Sequence, residues 1–75
     1  MKHVMRFLNY RGDEETVWTD EDEATRDLAR QKFDELTSKH MAAFEFSADG
    51  QVNKQIREFN PDAAEIVFLS PLVGG

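Results

Sequence analysis

One stretch of this sequence repeats its apolar residues at helical spacing, and the segments around it read as strand. Ala24, Leu28, Ala29, Phe33 and Leu36 fall on one stripe, the pattern of a helix that buries a single face. The opposite side carries Asp22, Arg26, Arg30, Asp34, Glu35 and Lys39. Asp22/Arg26, Arg30/Asp34 and Glu35/Lys39 stand four apart, so this face can partly pair with itself. Asp20 is the predicted N-cap, and Glu23 three residues on completes an acidic form of the capping box. The acidic run 20–23 also suits the positive end of the helix dipole. A helix is therefore predicted over about 21–38. A chain of 75 residues holds one small domain, so this helix must find its apolar partner among the strands.

Residues 3–10, HVMRFLNY, place apolar side chains on both faces of a short run and read as a first strand. Arg11-Gly12-Asp13 is a turn signal, and Thr16-Val17-Trp18 supplies β-branched and aromatic residues for a second strand. The two read as a hairpin. After the helix, Ala42, Phe44 and Phe46 alternate in a half-buried strand pattern, followed by the turn signal Ala48-Asp49-Gly50. Residues 51–59 fit either helical spacing through Val52, Ile56 and Phe59 or a short strand over 55–59; strand is the reading adopted. Asn60-Pro61-Asp62 is a turn. Glu65 to Leu69 is the strongest strand, and its continuous apolar run predicts a central strand buried on both faces. The order is strand, strand, helix, strand, strand, strand. One amphipathic helix on one face of a small mixed sheet is the simplest α+β architecture that buries both stripes.

Composition narrows the function. Fifteen acidic against nine basic residues leave a net charge of −6, which argues against tracking nucleic-acid phosphates or docking on anionic lipid. The absence of cysteine removes disulfides, thiolate metal ligands and thiol catalysis. The start, MKHVMRFLNY, is too short and mixed for a signal peptide, and no apolar run reaches membrane-spanning length. A reducing, cytoplasmic setting is the expectation. His3 and His40 have no paired spacing, which speaks against a metal site. Arg11-Gly12-Asp13 spells an adhesion tripeptide but reads as a hairpin turn. No P-loop, nucleophile elbow or HExxH motif occurs, so free-standing enzymatic activity is not expected. One helix cannot cover a whole sheet, so some of Phe7, Phe44, Phe46, Phe59 and Phe68 can lie on the face away from it and form a partner site there.

The sharpest functional clue is the end, Ser70-Pro71-Leu72-Val73-Gly74-Gly75. Pro71 cannot join a ladder and biases Ser70 away from helix. Gly-Gly has no side chains, so it can thread a narrow channel and present a bare carboxylate, whereas a chain that only needed to fold gains nothing from so floppy an end. The run Ile66-Val67-Phe68-Leu69-Ser70-Pro71-Leu72-Val73-Gly74-Gly75 resembles the C-terminus of the β-grasp (ubiquitin-like) sulfur carriers, the family of the small subunit of molybdopterin synthase. Residues 53–75 carry this resemblance, and the first 50 match it only in the order of elements. Ser70 stands where the family has the first of two prolines, and the 49–54 loop has no clear counterpart.

The resemblance implies a ββαβ(β)β β-grasp domain over 1–70 with an extended tail over 71–75. It implies that an adenylating enzyme binds the sheet surface and activates the Gly75 carboxylate with Mg-ATP, for thiocarboxylation or for conjugation to an acceptor protein. Gly75 is then the reactive end and Gly74 gives passage. Pro71, Leu72 and Val73 hold the tail against the partner, with Phe68 counted among the partner-binding residues. The chain itself binds no cofactor and works as a monomer or hetero-oligomer. Two other readings stand beside this one. An assembly or adaptor protein would use Pro71 to Val73 as an apolar anchor with no chemistry at Gly75. A phage-type acidic inhibitor would need clustered, unpaired carboxylates, and here they are scattered and partly paired.

Overall fold

The computed structural model describes residues 2–9, 12–47, 49 and 53–69. Its elements are β1 (Lys2–Asn9), β2 (Gly12–Thr19), α1 (Glu23–Ser38), β3 (Ala42–Phe46), β4 (Asn53–Ile56) and β5 (Glu65–Leu69). The strands form one mixed sheet in the order β2-β1-β5-β3-β4. β1 and β5 run parallel at its centre, and the other neighbours are antiparallel. The α+β expectation of one helix on a mixed sheet holds.

Several local expectations shift. β2 extends back to Gly12, because Asn9 pairs with Gly12 and Arg6 with Glu15. Gly12 and Asp13 therefore belong to the strand rather than to the turn, and Arg11 lies outside the described residues. Pairing with β1 recruits Glu14 and Glu15, which have little strand preference of their own. The helix N-cap is Asp22, not Asp20: its carboxylate accepts from the Ala24 and Thr25 amides at 3.0 and 3.3 Å. Asp20 is engaged elsewhere, with its carboxylate 2.7 Å from His3 Nε2. The stripe is also narrower than expected. Ala29, Phe33 and Leu36 are buried, while Ala24 is exposed and Leu28 is 61% exposed. The intrahelical ion pairs found are three apart, Arg26–Glu23 at 3.7 Å and Lys32–Glu35 at 3.0 Å.

The helix ends in a Schellman turn. The Met41 amide donates to the Leu36 carbonyl and the His40 amide to the Thr37 carbonyl, with His40 at a φ of 65°. β4 answers the open reading of residues 51–59: Asn53–Ile56 is strand, and Phe59 turns into the core from the segment that follows. The Asn60 turn is as read, with Asn60 Oδ1 accepting from the Asp62 amide and its carbonyl from the Ala63 amide.

Register sorts the side chains onto two faces. His3, Met5, Trp18, Ala43, Ile66 and Phe68 point toward α1 and are buried. Phe7, Ile56 and Phe59 pack against that core. Its spine is aromatic: His3 stacks on Trp18 at 5.1 Å, Trp18 meets Phe59 at 5.2 Å, Phe59 meets Phe33 at 5.8 Å, and Phe33 meets Phe68 at 5.2 Å. Such edge and offset contacts add to the burial of the rings themselves. β5 is central, but it is not buried on both faces. Ile66 and Phe68 lie in the core, Val67 is half-buried, and Leu69 is 42% exposed.

Candidate functional site: the uncovered sheet face

The side chains opposite α1 have no layer over them among the described residues. Strand alternation places Val4, Arg6 and Leu8 of β1, Val67 and Leu69 of β5, Phe44 and Phe46 of β3, and Gln55 of β4 on this side. Leu8, Phe44, Phe46, Gln55, Val67 and Leu69 line a shallow apolar depression of about 450 Å³. These apolar residues are only half-buried or exposed. An apolar depression with no layer over it among the described residues is the candidate docking site of this fold.

A charged cluster borders the depression. Arg6 reaches Glu15 across the hairpin at 3.4 Å and Glu65 on β5 at 2.8 Å. Its Nε contact with Glu65 is an ion pair without hydrogen-bond alignment. All three side chains remain between a third and a half exposed, so the cluster is screened by solvent and contributes little stability. It does give the apolar patch a polar border with one more negative charge than positive.

The predicted site residues separate. Phe68 is fully buried against Phe33. That corrects its expected partner-binding role, because β5 presents Val67 and Leu69 to the open face instead. Of the five phenylalanines, some of which were expected on that face, Phe44 and Phe46 occupy it, while Phe7, Phe59 and Phe68 point to the helix side. Pro71, Leu72, Val73, Gly74 and Gly75 lie outside the described residues. Leu8 and Val67 were not singled out in the sequence, and the signal that could have found them is strand alternation against Phe7 and Phe68.

One buried polar constellation has the look of a catalytic pair and lacks its parts. His3 lies between Asp20 and the Ala63 carbonyl, at 2.7 Å from each. Both ring nitrogens are occupied, the ring is 2% exposed, and no nucleophile touches it among the described contacts. Its hydrogen bond to Asp20 holds that carboxyl below the ordinary carboxylate range. Among the described residues, no group of three or more His, Asp or Glu side chains converges on a metal-sized site. No helix among them is long and apolar enough to cross a membrane.

Comparison with protein-family models, with curated proteins and with solved structures finds no match to this chain. The functional reading therefore rests on the fold and on the uncovered face.

Proposed function

We propose that this chain is a small ubiquitin-like carrier or modifier with a β-grasp fold, acted on at its C-terminal glycine by a partner enzyme. The observation that carries the reading is the sheet order. A β-grasp asks for a hairpin, a helix crossing one face, and a last strand returning beside the first at the sheet centre. The order β2-β1-β5-β3-β4 with β1 and β5 parallel meets that requirement. The strand leading to the tail thus runs along the uncovered face and ends with Leu69 exposed on it. A partner seated on Leu8, Phe44, Phe46, Val67 and Leu69 lies next to the residue where the tail begins. The net charge of −6 favours a basic partner.

In this reading a Gly75 carboxylate oxygen attacks the α-phosphorus of Mg-ATP, and pyrophosphate leaves. A hydrosulfide-level donor attacking the acyl carbon expels AMP and leaves a thiocarboxylate. An amine attacking the same carbon expels AMP, loses a proton and leaves an amide. The chain contributes the carboxylate and the docking surface, and ATP and Mg belong to the partner. The reading requires Gly75 to be the mature C-terminus.

Intact mass of the untagged protein, after incubation with a lysate of its source organism, ATP and Mg, reads the outcome. An adenylyl adduct, exchange of one oxygen for sulfur, or a ladder of covalent conjugates supports it. Deletion of Gly74 and Gly75 should abolish the change while leaving the fold intact. An unchanged mass with the full chain removes the carrier reading.

The uncovered face also suits an adaptor or assembly protein, since it exists independently of the tail. In that case partner binding survives loss of Gly74 and Gly75, and fails when Leu69 on the face is made charged; an adaptor that instead anchors through its tail fails when Leu72 and Val73 are made charged.

A further inference from the structure

His3 touches three separate segments. Its ring stacks on Trp18 of β2 with an interplanar angle of 11°. Nδ1 lies 2.7 Å from the carbonyl of Ala63, in the segment leading into β5, and Nε2 lies 2.7 Å from Asp20, in the turn that enters α1. Two neighbouring contacts tie the same segments: the Trp18 indole donates to the Pro61 carbonyl at 3.0 Å, and the Val4 amide donates to the Ala64 carbonyl at 3.2 Å.

A carbonyl oxygen can only accept, so Nδ1 must carry a proton. A carboxylate is ionised at neutral pH, and Asp20 lies below the ordinary range, so its oxygens also only accept and Nε2, 2.7 Å away, carries a proton as well. A neutral imidazole has one N–H and cannot satisfy both. Losing either proton would turn a buried nitrogen lone pair toward an oxygen lone pair, at a site 2% exposed to water. We propose that His3 is held as an imidazolium between Asp20 and the Ala63 carbonyl and acts as a proton-dependent latch on the Trp18 end of the core. Deprotonation releases either the helix-entry turn or the 59–64 segment, and with it the aromatic spine that starts at Trp18.

The charges around the latch are few. Lys2, Arg6 and Glu15 line a depression on the opposite face of the sheet, so they do not face the ring. From the helix, Arg26 donates to the Asp20 carbonyl at 3.3 Å. Asp62 is the one charged residue of the 59–64 segment, and it is exposed. Among the described residues, Asp20 is the acidic group in direct contact with the ring, so the latch depends on it.

The inference is independent of any chemistry at Gly75. A His40→Gly background leaves His3 as the sole histidine, and nitrogen-15 shifts of its ring then read the protons directly. Both ring nitrogens should be protonated at neutral pH. The folding equilibrium should weaken as pH rises beyond the ordinary histidine value of about 6.5, by up to about tenfold per pH unit for one proton. Asp20→Asn, at an exposed side chain, should keep the fold and flatten that slope. A singly protonated ring at neutral pH, or an unchanged slope in Asp20→Asn, overturns the proposal.

Discussion

His40 adopts a φ of 65° at the end of α1, in the left-handed region where a Cβ crowds the backbone. The Schellman geometry demands that conformation, and glycine supplies it without the crowding. His40→Gly should therefore raise stability by about 1 kcal/mol, read as a higher urea midpoint at constant slope. Phe68 is the opposite case. It is fully buried at one end of the aromatic spine, so Phe68→Ala should cost about 3–5 kcal/mol, most of the stability of a domain this small. Had it been a docking residue, the loss would fall on binding instead, and urea unfolding separates the two. Asp20 and Glu35 are both held below their ordinary range, Asp20 by its hydrogen bond from His3 and Glu35 by its hydrogen bond from Lys32. A depressed carboxylate contributes stability above its unfolded value and loses it as pH falls through the folded one. Stability should thus decline on acidification below the ordinary carboxylate range of about 4, and Asp20→Asn should blunt that acid limb in thermal melts at stepped pH.

At the scale of elements, the start of α1 shows how a local signal is redirected by a distant contact. Asp20 and Asp22 are both acceptable caps in isolation. Asp20 is drawn to His3, seventeen residues away in sequence, and Asp22 caps the helix in its place. Thr25 reinforces that choice, its hydroxyl donating to the Asp22 carbonyl and accepting from the Thr19 amide. Asp22→Ala should cost about 1 kcal/mol through the lost cap, measured by thermal or urea unfolding. The strands show the same hierarchy. Thr16, Val17 and Trp18 announce β2 by propensity, whereas Gly12 to Glu15 join it because β1 offers hydrogen-bond partners and Arg6 offers a counter-charge. β4 was ambiguous because its residues 53–56 include one strongly apolar side chain, Ile56, too few to define a period.

For the whole molecule, the decisive fact is that, among the described residues, one helix and the 57–64 segment cover one side of a five-stranded sheet. The other side keeps an apolar patch between β1, β5 and β3, with Leu69 on its surface. Leu69→Lys should change stability by no more than about 0.5 kcal/mol, because the side chain is already exposed. It should nonetheless remove partner-dependent modification of the chain, because a charge would then sit where an apolar contact is proposed. Retained modification with an intact fold places the partner elsewhere.

The sequence by itself determined the inventory of elements: one amphipathic helix, strands on both sides of it, and the Asn60 turn. These depend on periodicity and turn chemistry within a few residues, which any local window contains. Only the tertiary structure decided what touches what. The parallel pairing of β1 with β5 joins the two ends of the domain, and no local pattern carries that information. Register then assigned Phe68 to the core and Val67 to the open face, a choice that a slip of one residue would reverse. The same long-range closure brought His3 against Ala63 and Asp20, turning a histidine with no paired spacing in the sequence into the most fully bonded polar side chain of the core.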